Sequence, residues 1–135
     1  SSVSSTYSLN VDNGYINWIA KPRSNHTPII VGDNVFLVSN SGYFINLDRL
    51  TGKIIFSTNI LKSLKKKKQK TEISGYVMGS NKIYVTTLNG YLITCSYLGE
   101  VESYKKIAKS INSPPIISNG ELYILTSNSK ILGFN

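Results

Sequence analysis

The stretch PIIVGDNVFLVSNSGYFINL, from Pro28 to Leu47, decides the fold, because the chain repeats it twice more. VMGSNKIYVTTLNGYLITC runs from Val77 to Cys95, and PIISNGELYILTSNSKILGF runs from Pro115 to Phe134. Phe36, Tyr84 and Tyr123 fall at equivalent places. Gly42 and Gly90 each follow their aromatic by six residues, and Ser129 holds that place in the third copy. The aromatics lie 48 and 39 residues apart, and the longer interval contains a lysine run. The unit is therefore about 40 residues long with one insertion, the period of a propeller blade.

Within each unit, Val35–Val38, Ile83–Val85 and Leu122–Leu125 place apolar, β-prone residues at consecutive positions. A half-exposed strand would alternate, so these runs read as strands covered on both faces by stacked sheets. Asn89-Gly90 reads as a two-residue hairpin turn, since both types tolerate the positive φ of a type I′ turn. Asn40-Ser41-Gly42 and Asn128-Ser129 hold the same place with weaker turn chemistry.

A second repeated element follows the third strand of a unit. LDRLTGKIIF, Leu47 to Phe56, matches LNVDNGYINW, Leu9 to Trp18, position for position. An Asx side chain can accept from nearby backbone N–H groups, glycine takes the left-handed position, and the aromatic four residues on packs onto the adjacent sheet. The version at Ser96–Val101 is shorter and has no aromatic until Tyr104. Reckoned this way, the chain holds two, four, four and three strands. The expected fold is all-β: a single partial propeller domain of about three four-stranded antiparallel blades. Residues 1–20 end one blade, 28–60 and 75–107 are blades, 61–72 are a lysine-rich insertion, and 115–135 are a last blade lacking its outer strand. The whole reads as the C-terminal part of a larger ring.

The pattern Asp48-x-x-Thr51-Gly52-Lys53-x-x-Phe56 resembles the PQQ-type β-propeller repeat, with phenylalanine where that repeat has tryptophan. Asn10-x-x-Asn13-Gly14-x-x-x-Trp18 is a looser copy that keeps the tryptophan. Residues 28–56 and 115–135 are most similar to the last blades of the BamB family, the lipoprotein scaffolds of outer-membrane β-barrel assembly. The resemblance implies a non-enzymatic scaffold at the periplasmic face of the outer membrane or in the periplasm, whose loops dock proteins of the assembly machinery. It also makes these nine residues a blade-docking motif. PQQ-dependent quinoprotein dehydrogenases share the repeat, so a C-terminal fragment of such an enzyme is the alternative.

Composition bears on that choice. The chain has 135 residues, one cysteine and one histidine, which excludes an internal disulfide and any constellation needing two of either. Asp12, Asp33 and Asp48 sit at turn positions, where Asp has an ordinary structural use. Cys95 falls in an apolar strand, the setting of a buried inert thiol. His26 lies in a polar link between blades and reads as a solvated loop residue. No catalytic residue, metal ligand or cofactor is expected, and the chain reads as no enzyme.

The net charge is +8, but residues 62–70 hold six lysines, and outside them nine basic residues face seven acidic ones. The protein is nearly neutral with one basic loop, and nucleic acid is not an expected partner. Lys62, Lys65, Lys66, Lys67, Lys68 and Lys70 read as an exposed rim loop, either simply solvated or making a weak contact with an anionic membrane surface or an acidic segment. Exposed stacking faces also lead us to expect self-association of the isolated chain.

Overall fold

The computed structural model describes residues 6–9, 12, 15–20, 26–62, 71–79, 81–128 and 130–134. Asn10, Asn13, Gly14 and the lysines from Lys65 to Lys70 lie outside these described residues. The first sheet pairs β1 (Thr6–Leu9) with β2 (Ile16–Ala20). The second runs in chain order through β3 (Ile29–Val31), β4 (Asn34–Val38), β5 (Tyr43–Asp48) and β6 (Ile54–Asn59). The third does the same with β7 (Ile73–Gly79), β8 (Lys82–Thr87), β9 (Tyr91–Ser96) and β10 (Val101–Lys106). The fourth holds β11 (Ile116–Ser118), β12 (Glu121–Leu125) and β13 (Ile131–Phe134). All pairings are antiparallel, and among the described residues the sheets form an arc of propeller blades and no closed ring.

The consecutive apolar residues of the second strands explain the stacking. Val35 to Val38 are all buried, with Phe44, Leu47, Ile83, Val85 and Ile93 in a core shared by the second and third sheets. Trp18 of β2 joins that core from the first sheet. A second core, Leu92, Ile111, Leu122 and Ile124, lies between the third and fourth sheets. β12 departs from the sequence expectation. Leu122 and Ile124 are buried but Leu125 is exposed, because only one face of the fourth sheet is covered.

The turns fall into two sets. Turns from first to second strand and from third to fourth strand cluster at one end of the arc, here the turn end. Turns from second to third strand and the links between blades share the other, the link end. At the link end the structure corrects the reading of Asn89-Gly90. The loop is three residues, Leu88 to Gly90, and only Gly90, at φ +87°, takes a positive φ. The Gly90 N–H donates to the Thr87 carbonyl at 3.1 Å, so the loop is a tight turn followed by a left-handed glycine. A hydroxyl at each strand end completes the device. Ser39, Thr87 and Thr126 accept from the backbone N–H groups of Tyr43, Tyr91 and Lys130 at 3.0, 3.1 and 3.2 Å. The type I′ signature sits instead at the turn end, where Asn119 and Gly120 have φ of +50° and +76° between Ser118 and Glu121.

Candidate functional site: the blade-docking turns

Asp48 builds the turn between β5 and β6. Its Oδ1 accepts from the N–H groups of Leu50 at 2.8 Å and Thr51 at 3.1 Å, while its carbonyl accepts from Gly52 N–H at 2.8 Å. Asp48 N–H donates to the Lys53 carbonyl at 2.8 Å, and Thr51 Oγ1 accepts from Lys53 N–H at 3.3 Å. Lys53 thus serves through its backbone and leaves its side chain exposed.

The turn is where the preceding blade lands. Trp18 Nε1 donates to the Arg49 carbonyl at 2.6 Å. Its indole lies so close over Gly52 that a Cβ there would stand 2.6 Å from Cδ2 and Cε3. Gly52 has φ +75°, so the same glycine answers the turn and the approach of the ring. One blade on, a Cβ on Gly99, at φ +96°, would stand 3.0 Å from the Phe56 ring. Phe56 also meets Phe44 edge-on at 5.2 Å between centroids.

A bulge fixes which residue makes this contact. The pairing of third and fourth strands shifts register at the same place in three sheets, leaving Ser8 opposite Trp18, Asn46 opposite Phe56 and Thr94 opposite Ser103. Ser103 is therefore the counterpart of the docking aromatics. Tyr104 points elsewhere, its hydroxyl donating at 2.7 Å to the carbonyl of Ile60, the residue that follows β6.

Sequence reasoning missed Arg49, which occupies an unspecified position of the motif. Its N–H donates to the Asp33 carbonyl at 2.8 Å and its Nε to the Gly32 carbonyl at 3.0 Å, tying the two turn-end turns of one blade together. Tyr97 N–H repeats the backbone half of that tie to the Asn81 carbonyl at 3.3 Å.

The remaining candidates are dispersed. Lys62 is exposed after β6. His26 is half-buried rather than solvated, its ring edge-on to Tyr76 at 5.9 Å and its carbonyl accepting from the Tyr76 hydroxyl at 3.3 Å. Cys95 is fully buried, and burial, with Glu102 adding to it, pushes its thiol up to about 12. Among the described residues, no three of His, Cys, Asp and Glu come together as a metal site would require. What the turns do present is a pair of equivalent tips, Leu50 and Leu98, 67% and 69% exposed.

Residues 1–58 match the family described as outer membrane protein assembly factor BamB. The crystal structure of BamB from Moraxella catarrhalis superposes with a TM-score of 0.81 at 14% identity, over 97% of this chain and 37% of that one. The chain thus spans little more than a third of that BamB. The quinohemoprotein alcohol dehydrogenase ADHIIG from Pseudomonas putida HK5 gives 0.60 at 18% identity, over 73% of this chain and 16% of that one. The computationally designed Ika8 protein gives 0.72 at 8% identity, over 96% and 39%. No curated protein matches the chain. With the aromatic-on-glycine turns and the stacked four-stranded sheets, these likenesses show an arc of β-propeller blades whose repeats resemble the PQQ type and BamB.

Proposed function

We propose that the chain is part of a non-enzymatic propeller scaffold that docks protein partners during outer-membrane protein assembly, at the periplasmic face of the outer membrane. The observation that carries this reading is the docking relay: Trp18 on Gly52 and Phe56 on Gly99 lock the first sheet to the second and the second to the third. A relay of this kind holds loops from successive blades in a fixed array, and fixed loops on a rigid frame are how repeat proteins bind. The match of residues 1–58 to the BamB assembly-factor family supports the choice of process. In this reading 28–60 and 75–107 are the complete blades, and the contact points are the turn-end leucines, Leu50 and Leu98.

The likeness to a quinohemoprotein dehydrogenase raises a quinone and its metal as a test of fit. Among the described residues no three of His, Cys, Asp and Glu come together, so these residues do not fit such a cofactor, and no chemistry through it is derived.

The scaffold reading is tested by placing a photo-crosslinking amino acid at Leu50 or Leu98 in the protein expressed in its own host. The expected adducts contain a component of the outer-membrane assembly machinery, identified by mass spectrometry. Adducts with none of those proteins would overturn the reading.

A further inference from the structure

We propose that the link end of the arc is a docking surface for an anionic lipid bilayer. The observation is a separation of charge along the strands that the sequence order conceals. Six of the seven acids, Asp12, Asp33, Asp48, Glu100, Glu102 and Glu121, fall in or beside turn-end turns. Two ion pairs among the described residues, Arg49–Asp33 at 3.6 Å and Lys82–Glu102 at 3.2 Å, lie there too. The link end has one described acid, Glu72, against Lys62, Lys105, Lys106, Lys109 and Lys130, all exposed. The pairing places them: Lys105 and Lys106 close β10 opposite Leu92 and Tyr91, and Lys130 precedes β13 in the turn from β12. Lys62 and Thr71, which flank the lysine run, belong to the same end. The basic character is therefore a property of one end of the fold and not of one loop.

Three features favour a bilayer over an acidic peptide or a nucleic acid. The lysines come from separate links and turns of three blades, all at the link end, a spread suited to a broad surface rather than to a single strand. Leu88 and Tyr43 are exposed among them, an aliphatic loop tip and an aromatic of the kind that settles at head-group depth. A cleft of about 430 Å³ opens at this end between the third and fourth sheets. Lys109, Lys130, Ser110 and Ser127 line it with polar groups, and Ile107 and Leu132 contribute apolar ones, a lining that suits a phosphodiester with its glycerol. The acidic turn end would be repelled by the same surface. That orientation leaves Leu50 and Leu98 facing away, toward partners; this last point rests on the proposed function, whereas the bilayer contact does not.

The test is co-sedimentation of the 135-residue chain with phosphatidylcholine vesicles holding about a third phosphatidylglycerol, since each lysine near such a surface is worth about fivefold in binding. Binding is expected, and it should fall steeply between about 0.1 M and about 1 M salt, as the Debye length shrinks from about 10 Å to about 3 Å. The variant Lys105→Gln/Lys106→Gln/Lys109→Gln/Lys130→Gln, with the lysine run intact, should bind at least about tenfold more weakly. Lys82→Gln, at the opposite end, should bind like the parent. If the fourfold variant melts early, Lys109→Gln/Lys130→Gln carries the test with a loss of at least about threefold. Equal binding to pure phosphatidylcholine, or no binding to anionic vesicles, would overturn the proposal. So would unchanged binding by these variants when Lys65, Lys66, Lys67 and Lys68 changed to serine abolish it, or tighter binding to polyglutamate or an oligonucleotide than to vesicles.

Discussion

Gly52 answers to two constraints that no other residue type meets together. Its φ of +75° costs a side-chain-bearing residue about 1 kcal/mol, and a Cβ 2.6 Å from the Trp18 ring adds an overpacking cost of about 2 kcal/mol. Gly52→Ala should therefore destabilise the fold by about 3 kcal/mol in urea denaturation. In a Trp18→Ala background the same change should cost only the backbone share, about 1 kcal/mol; equal costs in both backgrounds would show that the ring does not dictate the glycine. Asn46 is the opposite case, a residue its site does not fully satisfy. Its Nδ2 donates to Asn34 Oδ1 at 3.2 Å, but its buried Oδ1 has no partner among the described residues. The bulge register puts Ser8 and Thr94 at the same position in neighbouring sheets. Asn46→Thr should thus be neutral or stabilise by about 1 kcal/mol, and a clear loss of melting temperature would count against this account. Cys95 contributes to the loss of stability at alkaline pH. Burial raises its thiol from 9.0 to about 12, so above pH 9 the unfolded chain loses a proton that the folded chain keeps. Stability is full below that point and falls by up to about 1.4 kcal/mol per pH unit as pH rises toward the folded value. Cys95→Ala should melt somewhat below the parent at neutral pH, by its packing loss, and the gap in melting temperature should narrow as the pH is raised above 9; a gap that stays constant would count against the buried thiol as the cause.

At the scale of single elements, the link-end turns are keyed to the links that pass beneath them. The Gly90 carbonyl accepts from the N–H groups of Ile107 and Ala108 at 2.9 and 3.3 Å, and a Cβ on Gly90 would collide with the Ala108 carbonyl. Gly42 holds the equivalent place, but there a Cβ would meet the side chain of Leu61, which can turn aside. Both glycines have positive φ, so the backbone cost cancels in the comparison. Gly90→Ala should cost about 1 kcal/mol more than Gly42→Ala, and equal costs would mean that the link yields as readily as a leucine. This element also shows where the sequence ran out. Asn-Gly is a strong signal for a turn and a weak one for its length, because Thr87 supplies a hydroxyl that makes a three-residue loop as well satisfied as a two-residue one. The strand succession was legible because buried strands leave consecutive apolar runs. The docking turn was legible because an Asx, a glycine and an aromatic must keep fixed spacing around one bulge. Arg49 was not, because its main role is played by backbone atoms that every residue carries. The charge separation was equally hidden: lysines scattered through links far apart in sequence meet only when alternate turns gather at one end.

The whole molecule has a face that its own repeat says belongs under another sheet. Ile116, Leu125 and Ile131 are 63%, 45% and 70% exposed. The register places Ile116 opposite Tyr123 and Leu125 opposite Ile131, on the outward side of the fourth sheet. Their counterparts in the second sheet are Ile29 opposite Phe36 and Val38 opposite Phe44. There Val38 and Phe44 are wholly buried. The same positions are thus an interior in one sheet and a surface in the other, and an apolar surface of that kind favours association. We expect the 135-residue chain on its own to self-associate through this face, with a sedimentation-equilibrium mass above 14.9 kDa that rises with concentration. Leu125→Lys/Ile131→Lys leaves the buried side of the sheet untouched, since Leu122 and Ile124 carry that packing, so it should lower the mass toward the monomer without lowering the melting temperature. A parent chain that stays monomeric at high concentration would show that the face is tolerated in water. A variant that associates as strongly as the parent would move the contact elsewhere, with Ile16 and Ile19, exposed on the first sheet, the next residues to change.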